Sequence, residues 1–316
     1  MFSTLAAMTW DLDPILIDFG PLQIRYYGVL FALTIYSGFW LFRRDLMRNG
    51  KSPEYAEILL WYGVAGIIGG ARLGHCLFYE PERYLSNPIE ILYFWKGGLA
   101  SHGATAGIFF VLWLFARNKK LTFRFAADCV MPAIAFAAGG VRVGNFFNSE
   151  IVGRAWDGPW AVIFARYDRM MGISPAIARH PTAAYEVLMG LLTFAVLTWL
   201  IRKDIRRAGS GLLSGVFLIM YFSFRFTVEF FKEYQVDSLA EGALVAQRAG
   251  EGMALTMGQY LSIVPVAIGV LMLVLALRSP KDAIPEPVPW WHSEEARLAA
   301  EAAAPAPAKR KKKKRK

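Results

Sequence analysis

The chain has 316 residues, 55% of them hydrophobic, and its long apolar runs mark an integral membrane protein rather than a soluble enzyme or a disordered polymer. Its formal charge of +10 does not signal a nucleic-acid binder, because the basic run 309–316 supplies most of it and leaves the rest near neutral. The two cysteines, Cys76 and Cys129, sit in or beside apolar runs and exclude a disulfide framework or a cysteine-rich metal site.

Residues 1–20 carry three aspartates and no Lys or Arg, so no cleavable leader is expected. Seven segments are predicted to cross a bilayer, at 25–43, 57–79, 101–116, 126–147, 182–201, 211–231 and 256–277. The fold class is therefore an all-α polytopic membrane protein. Loops 43–51, 117–124 and 202–207 each hold four Lys or Arg, whereas the alternate connections hold few for their length. Basic loops stay inside, so the N-terminus is expected to be periplasmic and the C-terminus cytoplasmic. Residues 148–181, rich in Gly and Pro, read as a small periplasmic lobe, with 161–166 as a short strand. The membrane domain then spans 1–278. Residues 279–316 read as a disordered basic cytoplasmic tail with one short helix at 293–304, and the tail's lysines suit an anionic bilayer surface better than nucleic acid.

On this topology four polar clusters fall at one membrane face: GGARLGH (69–75), GGLASHG (97–103), GGVRVGN (139–145) and FRFTVEF (224–230). At about 1.5 Å per residue, Arg142 lies roughly 25 Å along its span, near the far side of a hydrocarbon core about 30 Å thick. An arginine at that depth usually faces a protein interior or a wet cavity and marks a substrate site. Asn145, Asn148 and Glu150 add amides and a carboxylate within two turns. The same residues also suit a helix end tied by an Arg–Glu pair and asparagine caps. Arg225 and Glu229, spaced i, i+4, share a helix face, either as a structural ion pair or as an anion site. His102, at the start of the third span, can take up a proton near neutral pH or simply bond at a helix N-terminus. Tyr27 offers a phenol at similar depth or a ring in an interfacial belt. His180 reads as a positioning residue before Pro181, His75 as packing and His292 as a tail residue. Arg72 is open to two readings, a head-group contact or a packing charge. No G-x-S-x-G, H-E-x-x-H or P-loop is present, so serine hydrolase, zincin and nucleotide-driven readings lack a motif. Paired arginines bind phosphate through charge-assisted bonds, and a phospholipid head group fits that depth. Binding, flipping and chemistry on the lipid all remain open on these residues.

The motifs GGVRVGNFFNSEIVG (139–153), GGLASHG (97–103), RYYG (25–28), RHPTAAYE (179–186), FRFTVEFFKE (224–233) and TMGQYLSI (256–263) resemble, in this order, the prolipoprotein diacylglyceryl transferases of bacterial inner membranes. The resemblance covers residues of about 10 to 278. The histidine stretch departs from the common pattern at Ala100, Ser101 and Ala104 but keeps His102 and Gly103. It implies a seven-span enzyme, without cofactor or metal, that moves the diacylglyceryl group of phosphatidylglycerol to the lipobox cysteine of a preprolipoprotein, releasing glycerol 1-phosphate. The implied essential residues are Tyr27, His102, Arg142, Asn145, Asn148, Glu150, Gly153, Arg225 and Glu229. His102 is expected to be the base, with Arg142 and Arg225 on the phosphate, Glu229 fixing Arg225, and Asn145, Asn148 and Glu150 on the glycerol hydroxyls. The rival readings are a phospholipid or anion transporter, which moves its substrate unchanged, and a non-catalytic membrane scaffold.

Overall fold

A computed structural model describes residues 7–20, 23–205, 207–233, 255–280 and 283–303. The chain begins with strands β1 (Met8–Trp10), β2 (Ile15–Asp18) and β3 (Gln23–Arg25), the last two forming an antiparallel hairpin. Helices α1 (Tyr26–Arg48), α2 (Glu54–Phe78), a short α3 (Pro81–Ser86), α4 (Ser101–Asn118) and α5 (Phe123–Phe147) follow. A lobe then holds β4 (Val162–Phe164), α6 (Ala165–Met170) and β5 (Ala178–Arg179). The remainder is α7 (Thr182–Arg202), α8 (Leu212–Val228) with a 3-10 turn over Glu229–Phe231, α9 (Met257–Arg278) and α10 (Glu294–Ala303).

A long helix lies at each predicted span, and the molecule is mostly helical. Five helices, namely α2, α5, α7, α8 with its 3-10 extension, and α9, are long and apolar enough to cross a membrane. The other two are more polar: α1 carries Tyr, Ser and Thr and ends on Arg43, Arg44, Asp45 and Arg48, and α4 begins on Ser101 and His102. Outward faces carry exposed Trp61, Leu188, Leu261 and Val264. Such apolar exteriors suit a lipid environment and would be unstable in water.

Small residues bring the helices into register. On α2 and α4, a Cβ on Gly70 would lie 2.4 Å from the Gly103 carbonyl oxygen, and one on Gly107 would lie 2.0 Å from that of Gly66. Helices approach this closely only through glycine, which supplies the dispersion contact that lipid tails cannot. The α5–α7 seam uses Gly139 against Gly190 in the same way. At the end away from the lobe, the fully buried Asp128 of α5 accepts bonds from the Gly209, Gly211 and Ser214 amides at 2.9, 2.8 and 2.9 Å and from Ser214 Oγ at 2.7 Å. These four donors satisfy a carboxylate that would otherwise be costly to bury, and they lock the α7–α8 turn onto α5.

Two expectations need correction. The lobe contains a sheet drawn from both sides of the helical bundle in sequence: β1 pairs in parallel with β4, and β4 antiparallel with β5. The lobe is therefore not confined to 148–181, and the fold is helical with a small β component. The strand expected within 161–166 is β4, and β1 extends it because Met8, Thr9 and Trp10 align with Val162, Ile163 and Phe164. The second correction concerns the segment past 279, where 283–293 runs across the helix ends instead of hanging free. Arg207 donates to the Ile284 carbonyl, and the turn Trp290–His292 packs on α1. Prolines remove much of the entropy cost of ordering such a strap. The short helix expected at 293–304 is α10, with the Ala296 amide capped by Ser293 Oγ at 3.2 Å. The basic run 309–316 lies outside the described residues.

Candidate functional site

Helix α5 stops at Phe147 because the chain folds back sharply. Ser149 and Ile151 adopt φ of 57° and 54°, in the left-handed region that side chains rarely enter. That turn returns Glu150 over the helix end, where its amide donates to the Asn145 carbonyl at 2.9 Å. The side chains then form a chain: Arg142 Nη1 donates to Asn145 Oδ1 at 3.0 Å, Asn145 Nδ2 to Glu150 Oε2 at 2.8 Å, and Asn148 Nδ2 to Glu150 Oε1 at 3.1 Å. Thr182 Oγ1 donates to the Ile151 carbonyl at 2.6 Å and fastens the first turn of α7 to this fold-back.

A residue outside the predicted set sits at the centre. Glu186 of α7 is fully buried, with Arg142 Nε 2.5 Å from Oε2 and Lys232 Nζ 2.6 Å from Oε1. Arg225 Nη1 lies 3.5 Å from Glu186 Oε1 and 2.5 Å from Glu229 Oε2. Glu186 is thus held by short ion pairs from two sides. Lys232 also lies 3.8 Å from Glu229, and burial pushes its ammonium pKa down against the opposing pull of Glu186. Three cations from α5, α8 and the segment after it thus converge on one carboxylate.

Backbone geometry holds this convergence. A Cβ on Gly153 would lie 2.5 Å from the His180 carbonyl oxygen and 2.7 Å from that of Phe231. Gly153 therefore allows three chain segments to meet beside the site. Tyr27 contributes its ring, which packs on Gly144, where a Cβ would lie 2.7 Å from the ring, and stacks on Phe31. On α9, Gly258 leaves room for the Glu229 carboxylate, 2.9 Å from where a Cβ would be.

The structure brings together Arg142, Asn145, Asn148, Glu150, Arg225 and Glu229, with Gly153 and Tyr27 as walls. It does not bring in His102. That exposed imidazole stands edge-on to Phe78 at 5.3 Å and beside Tyr79 at 5.8 Å, with no hydrogen bond to the charged network among the described residues. His180 stacks on Trp156 at 4.3 Å, its Nδ1 lies 2.9 Å from Tyr185 Oη, and burial pushes its pKa down. His75 packs on Tyr79 and contacts Glu80 Oε1 at 3.2 Å. Arg72 is buried and spends its guanidinium on the carbonyls of Ile91, Glu90, Gly97 and Gly98, at 3.0, 2.7, 2.6 and 3.3 Å, so it is a staple for the loop before α4. Glu186 and Lys232 lie inside RHPTAAYE and FRFTVEFFKE without having been singled out there; the one signal for Glu186, an acid in an apolar span, is masked by its place in the first turns of α7.

Helices of spanning length with a buried cluster of cations and carboxylates at one end, beneath a small lobe, define a polytopic membrane protein with a charged site at that end of its bundle. The chain belongs to the prolipoprotein diacylglyceryl transferase family, whose sequence model matches residues 14–275. It is 38% identical over 270 residues to the phosphatidylglycerol–prolipoprotein diacylglyceryl transferase of Tolumonas auensis, covering 85% of this chain and 97% of that one. The enzymes of the same name from Chloroherpeton thalassium and Chromohalobacter salexigens are 38% and 36% identical over 276 and 275 residues, covering 87% and 86% of this chain and 96% and 95% of theirs.

Proposed function

We propose that this chain transfers the diacylglyceryl group of phosphatidylglycerol to the cysteine thiol in the lipobox of a preprolipoprotein, the first step of lipoprotein maturation. The thiol gives its proton to a base, and the sulfur lone pair forms a bond to the glycerol carbon that carries the phosphate. The carbon–oxygen bond breaks with its electrons leaving on the phosphate oxygen. A thioether and glycerol 1-phosphate result, and the proton passes from the base to solvent. The observation that carries this reading is the gathering of Arg142, Arg225 and Lys232 around one buried carboxylate. Cations so held are preorganised to bind a phosphate and to hold it harder as its charge grows, which is the condition for catalysis.

In this mechanism Arg142 and Arg225 bind the phosphate, with Glu229 fixing Arg225. Asn145, Asn148 and Glu150 bond the head-group hydroxyls, and Tyr27 and Gly153 shape the wall. His102 acts as base for the incoming thiol, which at a pKa near 8.5 is only a few per cent ionised at neutral pH. Its exposed ring is open to an arriving peptide and separate from the phosphate grip. The proposed setting is a bacterial inner membrane crossed seven times, with the lobe and N-terminus periplasmic and the basic loops and C-terminus cytoplasmic. A transporter reading fits less well, because its site would lie at the midplane between broken helices, whereas these charges gather at one end.

The test incubates purified protein with phosphatidylglycerol and a lipobox peptide and looks by mass spectrometry for a diacylglyceryl thioether. The expected adduct vanishes when the peptide cysteine is replaced by serine, and its absence from folded protein with the native peptide would refute the assignment. A His102→Gln variant with near-normal turnover between about pH 6 and 9 removes His102 from the mechanism.

A further inference from the structure

The reaction proposed above changes the charge of the group that the cations hold. A phosphodiester carries one negative charge, whereas the phosphate monoester that leaves has a second ionisation near pH 6 and is largely dianionic at neutral pH. Cations that favour the departing phosphate therefore also favour keeping it. Turnover needs a counterweight, and a negative charge fixed among those cations supplies one.

Glu186 has that position. It is fully buried, projects from α7, and reaches a cation from α5 at 2.5 Å and Lys232 at 2.6 Å, with Arg225 of α8 at 3.5 Å. The other charges facing this group are Glu229, 2.5 Å from Arg225 and 3.8 Å from Lys232, and Glu150, which reaches Arg142 only through Asn145. Among the described residues no other carboxylate is paired to all three cations. Holding α7 against α5 would require one cation partner; convergence of three makes Glu186 a regulator of the site's net charge as well.

We propose that Glu186 is a positioning residue that spreads its charge over Arg142, Arg225 and Lys232 so that the site accepts a monoanionic phosphodiester and expels the dianionic monoester. The idea rests on the reaction assigned above. A carboxylate in this place costs little while a diester is bound and repels a second phosphate charge directly, since like charges a few ångströms apart in a dry site interact strongly. Product release is thereby built into the ground state of the site. The same carboxylate keeps the cations aimed inward before lipid arrives.

Calorimetric binding to the full-length protein tests this independently of turnover, with glycerol 1-phosphate as the dianionic probe and glycerophosphoglycerol as the monoanionic one. Wild-type protein should bind the two with similar constants. In Glu186→Gln the monoester should bind about tenfold or more tightly while the diester gains less, as expected on removing a neighbouring like charge. In the transfer assay kcat and the KM for phosphatidylglycerol should then fall together, because release becomes limiting. Glu186→Asp, which keeps the charge, should restore the wild-type ratio of the two probes. An unchanged ratio in Glu186→Gln, or an Asp variant that behaves like the Gln variant, overturns the proposal. Where Glu186→Gln does not fold, the wild-type alone decides: a monoester bound about tenfold tighter than the diester overturns it. Loss of the assigned reaction shows up separately, as no thioether from wild-type protein in the mass-spectrometric assay.

Discussion

Arg142 is gripped on two sides, Nε by Glu186 at 2.5 Å and Nη1 by Asn145 at 3.0 Å. A lysine keeps the charge but brings its donors on a single nitrogen and lacks the planar fork whose separate nitrogens reach Glu186 and Asn145. Arg142→Lys is therefore expected to lower thioether formation by about a hundredfold, close to the loss of one bidentate charge-assisted contact, with the melting temperature little changed. His180 gives a second prediction at this scale. Burial pushes its pKa below the ordinary 6.5, so the folded state binds fewer protons than the unfolded one as the medium becomes acidic. Stability should fall as pH drops through about 6.5 and into the window below it, and a His180→Gln variant should show a flatter dependence in thermal melts. At this scale the sequence pointed to Arg142 because a cation deep in an apolar run is costly and marks a protein interior or wet cavity, although a helix end tied by an Arg–Glu pair also fitted it. Glu186 went unread because an acid in the first turns after Pro181 already has one, as a favourable charge at a helix N-terminus. Its partners lie on α5, on α8 and on the segment after α8, and no local pattern announces them.

At the scale of elements, Arg72 decides between the two readings its sequence left open. A guanidinium that donates to four backbone carbonyls and lies 4.9 Å over the Tyr84 ring spends four of its five N–H donors within the loop, which favours the packing reading. Arg72→Lys should leave the KM for phosphatidylglycerol unchanged while hydrogen exchange in residues 88–98 rises sharply, because an ammonium cannot reach carbonyls so spread out. A raised KM would instead place Arg72 on the lipid. The helices themselves were largely legible: the segment predicted at 126–147 is α5, Phe123–Phe147, and that at 182–201 is α7, Thr182–Arg202. Hydropathy over twenty residues is a strong signal, as lipid leaves the backbone no alternative to helix. The pairing of β1 with β4 was hidden, since strands of three residues carry no usable periodicity and parallel partners can lie anywhere in the chain.

Taken whole, the molecule separates its work between two ends. Paired cations and carboxylates gather under the lobe, while at the far end Asp128 is spent on four bonds that hold the bundle together. Asp128→Ala should therefore cost about 3 kcal/mol or more in stability, measured by thermal denaturation in detergent, because the amides of Gly209, Gly211 and Ser214 lose a buried acceptor. Transfer assayed well below the new melting point should persist, since no group at that end touches the charged site. Substitutions at the two ends should then add nearly independently.

The parallel alignment of Met8 with Val162 also sets an order of events in biosynthesis. Strand β1 must wait for a partner about 150 residues later in the chain, roughly ten to thirty seconds at ordinary elongation rates, while four long helices are made in between. Until β4 arrives, β1 has no strand to pair with, and the three-stranded sheet of the lobe cannot form.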